Sequence, residues 1–173
     1  MVGLTRKILC LSLLHFSVYG MSSFYNQFPQ LLCSAAASGN IQRIQEIASA
    51  GGNINVKDSA SQASPLIFAV MCEQLASVAL LLSLGADSNL EDKYGNTPLM
   101  HAVIKRNKHI IQKLLEAGAD PRAQNIVGES ALSYAEHDSA LADIYTLLSG
   151  NQASNNGHIL RSFTLKEYAE KPS

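Results

Sequence analysis

The stretch Asp92-Lys93-Tyr94-Gly95-Asn96-Thr97-Pro98-Leu99-Met100-His101-Ala102, followed by Leu114-Leu115-Glu116-Ala117-Gly118-Ala119-Asp120, decides how this chain folds. Thr97-Pro98 places a hydroxyl at a helix N-cap and a proline at the first helical position, where the missing N–H costs nothing and the fixed φ suits the helix. Leu99 and Ala102 then lie three apart on one face, and the small Ala102 lets a neighbouring helix approach closely. A second helix follows, with Ile111, Leu114 and Leu115 as its apolar stripe. Gly118 stands just past it, where a helix ends in a left-handed residue. The polar run from Ser88 to Asn96 that leads into the cap is predicted to be a projecting turn.

The same unit recurs with a period of 33 residues. Leu66, Leu99, Leu132 and Leu165 share that step, as do Ala69, Ala102 and Ala135, Pro65 and Pro98, Gly85 and Gly118, and Gly95 and Gly128. Several residue classes on one spacing point to stacked copies of a helix-turn-helix unit, none of which can bury its apolar face alone. Ser64-Pro65 repeats the cap and the proline, whereas Ser130-Ala131 keeps only the cap. Val78, Leu81 and Leu82, and later Ile144, Leu147 and Leu148, repeat the second-helix stripe. An earlier copy, Ala35-Ala36-Ala37-Ser38-Gly39-Asn40 with Gly51-Gly52-Asn53-Ile54-Asn55, fits only with a step of 34. The extra residue is expected in the turn between Asp58 and Ser64.

These residues resemble the ankyrin repeat, D-x-x-G-x-T-P-L-H-x-A followed by L-L-x-x-G-A-D. The pattern is met at residues 92–120, with Met100 where histidine is usual. Residues 59–91 resemble a further copy with Gln62 in place of glycine, and 125–150 another with Ala131 in place of proline. The resemblance implies an all-α ankyrin-repeat solenoid over 27–150, with repeats at about 27–58, 59–91, 92–124 and 125–150. It also implies a non-catalytic module that binds a partner protein in a groove made by the turn tips and the exposed side of the first helices. By position, the partner-binding residues would be Lys93, Tyr94, Asn96, Ile104 and Lys105; Ala60, Ser61, Ala63, Met71 and Cys72; and Ile126, Val127, Glu129, His137 and Asp138. Tyr94, Met71, Ile126 and Val127 are the expected anchors, because apolar and aromatic groups at an interface centre carry most binding energy. Beside this stands the reading of Tyr94 as a solvated turn residue and of Met71 and Val127 as packed inside the array. In the family the usual histidine hydrogen-bonds within the turn, a bond that Met100 leaves in doubt here; His101 sits one place further on.

With 173 residues, 47% hydrophobic and 16% charged, the chain can bury a sizeable core, which excludes disorder throughout. A net charge of −1 gives no global field to draw in nucleic acid or anionic lipid. Cys10, Cys33 and Cys72 have neither CxxC spacing nor the number needed for a disulfide framework or a zinc site. Cys33 and Cys72 fall about five helical positions out of register, which places them too far apart for a bridge, so both are expected as free, buried and inert thiols. Lys105-Arg106-Asn107-Lys108-His109, with Lys113, is a basic cluster without interleaved aromatics and is predicted to be a solvated turn rather than a nucleic-acid site. His101, His109, His137 and His158 show no HxH or HExxH spacing, and no acid, base and nucleophile converge. The expectation is therefore no catalytic residue, no metal and no cofactor, and a monomer with no stable membrane span whose partner is a protein.

The two ends stand apart. Arg6 and Lys7 precede an apolar run from Ile8 to Tyr19 that is too short for a hydrocarbon core of ~30 Å, and Val18-x-Gly20 offers small residues before Met21. Residues 1–20 are read as a secretory signal peptide, with 21–26 as a linker and a secreted or periplasmic destination. His15 within the run counts against this. The alternatives are an uncleaved helix packed on the array of a cytoplasmic regulatory or inhibitory subunit, or a true start at Met21. At the other end, Thr164-Leu165-Lys166-Glu167 forms a capping box and Leu165 keeps the 33-residue step. Residues 151–173 are expected as a linker and a C-terminal half-repeat cap helix, with Tyr168 in the slot of Ala135.

Overall fold

Five of the described helices begin at a side chain that satisfies backbone N–H groups left over at a helix start. Ser64 Oγ accepts from the Ile67 N–H at 3.3 Å and Thr97 Oγ1 from the Met100 N–H at 3.4 Å, opening α3 (Pro65–Met71) and α5 (Pro98–Ile104). Ser130 and Ser133 form a reciprocal capping box at 3.1 and 2.8 Å at the head of α7 (Ala131–Glu136), which compensates for the missing proline there. Asn40 and Asn107 cap the second helices α2 (Ile41–Ser49) and α6 (Lys108–Glu116), whereas Gln74 makes no side-chain cap bond at α4 (Leu75–Ser83). With α1 (29–38) and α8 (Ala142–Gly150), the described residues contain eight helices and no strand. The computed structural model describes residues 29–137 and 141–150; the expected signal peptide, the 21–26 linker, the C-terminal cap and Asp138 lie outside them.

First helices pack on first helices, α3 on α5 and α5 on α7, and second helices on second helices, from α2 through α4 and α6 to α8. Ala69, Ala102 and Ala135, at 2% exposure or less, occupy the close crossings between first helices. Leu66 and Leu99 are buried at equivalent interior sites, as are Leu81 and Leu114 between second helices. The last described repeat departs from this. Leu132 is only half-buried and Leu147 is 36% exposed, because no described repeat lies on their outer side.

Polar bonds hold the same register. Asn55 accepts from the Asp87 N–H at 2.9 Å and Asn89 from the Asp120 N–H at 2.8 Å, each one repeat ahead. The turn tips join directly: the Lys93 N–H donates to the Ser61 carbonyl at 3.0 Å, and the Ile126 N–H to the Tyr94 carbonyl at 3.1 Å. Gly95 has φ +76°, and a Cβ there would come within 3.1 Å of Asn125 and Ile126 backbone, so glycine is what lets the next tip approach.

The extra residue of the second repeat lies in its tip. The closing bond runs from the Asp58 N–H to the Ala63 carbonyl, whereas the later tips close one residue sooner, Asp92 on Asn96 and Asn125 on Glu129. In that tip Gln62 takes the left-handed place of Gly95 and Gly128, with φ 55°. A side chain in that conformation costs about 1–2 kcal/mol, partly offset by the greater freedom of glycine in the unfolded chain. Gln62→Gly is therefore expected to stabilise the protein by about 0.5–1 kcal/mol in urea titration, the m-value remaining unchanged.

Candidate protein-binding face

One acceptor side chain organises each tip. Asp58 Oδ2 accepts from the Ala60 and Ser61 N–H groups and the Ser61 hydroxyl at 3.1, 2.8 and 2.8 Å. Asp92 Oδ1 accepts from the Tyr94 and Asn96 N–H groups at 2.8 and 2.9 Å, and Asn125 Oδ1 from those of Val127 and Glu129 at 3.1 and 3.0 Å. In the third repeat His101 Nε2 donates to Asp92 Oδ2 at 2.9 Å, so a histidine one place along supplies the bond that Met100 cannot, while Met100 is fully buried in the core. The Ser61 N–H and hydroxyl hold the Asp58 carboxyl below the usual carboxylate range. For Asp92, burial is the largest single influence and pushes upward, but the Asn96 N–H, the His101 ring and the Tyr94 N–H together outweigh it, and the carboxyl titrates low.

These tips and the first helices display the candidate residues. Tyr94 is 52% exposed, with Lys93 Nζ 5.0 Å from its ring centroid. Ile126 and Val127, on the next tip, are 73% and 70% exposed. Met71 and Ile104, one repeat step apart at the ends of α3 and α5, are 42% and 54% exposed, so neither Met71 nor Val127 is packed inside the array. Lys105 and Ala60 are exposed as well. Ser61 and Asn96 are half-buried and engaged, Asn96 Oδ1 accepting from Asn125 Nδ2 at 2.9 Å. Ala63, expected at the surface, is buried beside the cap.

Glu129 accepts from the Tyr134 hydroxyl at 2.6 Å; that bond, followed by burial, raises the Tyr134 pKa. Glu129, Ser133, Tyr134 and His137 line a shallow cleft at the foot of the last described tip. Phe68, His101 and Tyr134 form a half-buried aromatic row along α3, α5 and α7 that the sequence reading overlooked. Their common 33-residue step was the signal that could have found them.

A family model described as Ankyrin repeats (3 copies) matches residues 32–125. The chain belongs to the ankyrin-repeat family. Similar proteins include the human palmitoyltransferase ZDHHC17, 44% identical over 93 residues, which are 53% of this chain and 14% of the relative. The L-asparaginase of Dirofilaria immitis is 34% identical over 92 residues, 53% of this chain and 15% of the relative. The ankyrin repeat and SOCS box protein 6 of Pongo abelii is 38% identical over 90 residues, 48% of this chain and 21% of the relative. The chain thus aligns with about a fifth or less of each of these proteins.

Two other features of the ankyrin array bear on its surface chemistry. Within the basic cluster, Lys108 pairs with Asp143 at 2.7 Å and holds that carboxyl low, and Lys113 pairs with Glu116 at 2.7 Å. Of the cysteines, Cys33 is buried, and burial, helped by the Asp58 charge, pushes its thiol up to about 12. Cys72 contradicts the expectation of a buried thiol: it caps the C-terminus of α3 on the open side and is exposed. Both are free. Among the described residues no group of three or more His, Cys, Asp or Glu could hold a metal, and no helix is long and apolar enough to cross a membrane.

The depressed Asp92 carboxyl makes stability depend on pH with a definite sign. Its folded pKa lies below the unfolded value of about 3.9, so its contribution is fully present above that value and is lost as pH falls through the folded one. Asp92→Asn keeps the acceptor that Asn125 uses naturally but removes the charge. At pH 7 the variant should be less stable than wild type by about 1 kcal/mol. Urea titrations at descending pH should show a shallower acid loss than wild type.

Proposed function

We propose that this ankyrin array is a non-catalytic module that holds one partner protein on its turn tips and exposed first-helix side. Tyr94, Met71, Ile104, Ile126 and Val127 are the anchors, bordered by Lys93, Asn96, Lys105, Ala60, Ser61 and Glu129. The observation that carries this is the run of large apolar side chains left open at matching positions of successive repeats, on a side that stacking does not use. Contiguous exposed apolar groups with a polar border favour a protein partner. A binding role in place of catalysis is supported by the match to ankyrin repeats over residues 32–125. It is further supported by alignment with only 14% and 15% of the relatives named for transferase and asparaginase activity.

The face is tested by affinity capture with the whole chain and with a Tyr94→Ala/Ile126→Ala variant. Recovery of the partner should fall at least about tenfold in the variant, because a few central anchors dominate such interfaces. Thermal melting should stay the same, since both side chains are exposed. Equal recovery would remove these tips from the interface.

The proposal extends to where the protein acts: the Arg6-Lys7 and Ile8 to Tyr19 pattern supports export of the monomer, with cleavage before Met21. Intact-mass measurement of protein from its native source should give a chain starting at Met21. A chain retaining Met1 would instead favour a cytoplasmic regulatory subunit.

A further inference from the structure

The outer side of the second helices is uneven. α4 packs between α2 and α6, and the repeat step sets which of their residues stand level with one another. Ala76 is level with Gln42 and His109, Ala79 with Gln45 and Gln112, and Leu80 with Glu46 and Lys113. All nine face outward: Leu80 is half-buried and the other eight are exposed. At each level the middle helix therefore presents a short or apolar side chain where both neighbours present a longer polar one. Among the described second helices α4 alone carries no charged residue. Leu75 and Leu84, at its two ends, are 40% and 38% exposed.

The result is a trough along α4, floored by Ala76, Ala79 and Leu80. Packed helices lie ~8–10 Å apart, so α2 and α6 stand ~16–20 Å from each other and their side chains flank a strip about one helix wide. The walls differ in sign at one level, with Glu46 on α2 and Lys113 on α6 either side of Leu80. Each is held only by its own helix, Glu46 by Arg43 at 2.9 Å and Lys113 by Glu116 at 2.7 Å, and all four side chains are about half exposed. Such pairs contribute little and are readily exchanged for charges that a ligand brings. We propose that this trough docks one amphipathic helix of a partner protein, its apolar stripe on Ala76, Ala79 and Leu80, its basic flank towards Glu46 and its acidic flank towards Lys113. The opposite signs of the walls select a helix with unlike flanks and fix its direction. A bilayer or a second copy of this face fits less well, because a flat or equally recessed surface meets Gln42, Gln45, His109 and Gln112 before it reaches the floor. The trough lies on the row of second helices, so it adds a contact separate from the tips and from Met71 and Ile104 on the first-helix row.

Site-specific photo-crosslinking tests this, with benzoylphenylalanine placed at Gln45 on the rim of the whole chain in its native source and the linked peptide sequenced by mass spectrometry. The adduct should join a second protein through a peptide with apolar residues at helical spacing, basic side chains on one flank and acidic ones on the other. Ala79→Glu, which puts a charge on the exposed floor without touching the core, should cut its yield at least about tenfold while leaving Tm unchanged. The Tyr94→Ala/Ile126→Ala variant should give full yield, so that loss of tip binding and loss of trough binding are read separately. The probe moved to Thr146, the matching position on α8, should not give that adduct. An adduct with a second copy of this chain, with its own residues 1–28 or 151–173, with lipid, or with a peptide lacking the pattern would overturn the proposal. So would no adduct, one that persists in Ala79→Glu, one lost in the tip variant, or one made equally from Thr146.

Discussion

Helices of seven residues, such as α3 and α5, do not persist alone in water, because nucleation costs more than so few hydrogen bonds return. Everything in this protein rests on the contact between one repeat and the next. A fully buried leucine contributes about 1.5–3 kcal/mol, while ordering each residue costs about 1–2 kcal/mol, so a single helix pair falls short and stacking must supply the rest. Ala69, Ala102 and Ala135 set how near the first helices come, and Asn55 and Asn89 fix the offset from one unit to the next. The same dependence explains why Leu132 and Leu147 differ from their equivalents: a stacked position is only as buried as its neighbour makes it.

Stacking consumes the interior face, while the outer sides of the first and second helices stay exposed, and so do the tips. The tips are not loose loops. Asp58, Asp92 and Asn125 each gather N–H groups within a tip, and backbone bonds tie each tip to the next. Groups held in place before binding lose little freedom when a partner arrives, which favours a few exposed anchors over a large area. Proteins named for quite different activities align with this stretch over 90 to 93 residues, which fits a scaffold whose specificity lies in surface residues.

Much of the scaffold was legible in the sequence because its signals are local or periodic. Thr97-Pro98 announces a helix start wherever it stands, and Leu66 and Leu99 repeat at a fixed step whatever surrounds them. The inserted residue before Ser64 was legible too, since a step of 34 in place of 33 can only be absorbed in the turn. What stayed hidden depends on direction and neighbours. Cys72 is apolar enough to look like a core residue, but the end of α3 turns it outward. His101 takes the Asp92 bond because its ring reaches back to the tip, which spacing alone does not reveal. Among the candidate binding residues, Tyr94 and Ile126 extend from the surface while Asn96 is spent on its neighbour Asn125, a division set by three-dimensional pairing and not by residue type.

The lengthened tip between Asp58 and Ala63 shows how such a protein can change. The added residue lies ahead of Ser61, and the Ser61 carbonyl still receives the Lys93 N–H across the same interval that separates Tyr94 from Ile126. Growth of a finger is thus mechanically uncoupled from the column behind it. Selection, or an engineer, can vary finger length to reshape what is grasped without renegotiating how the units pile up.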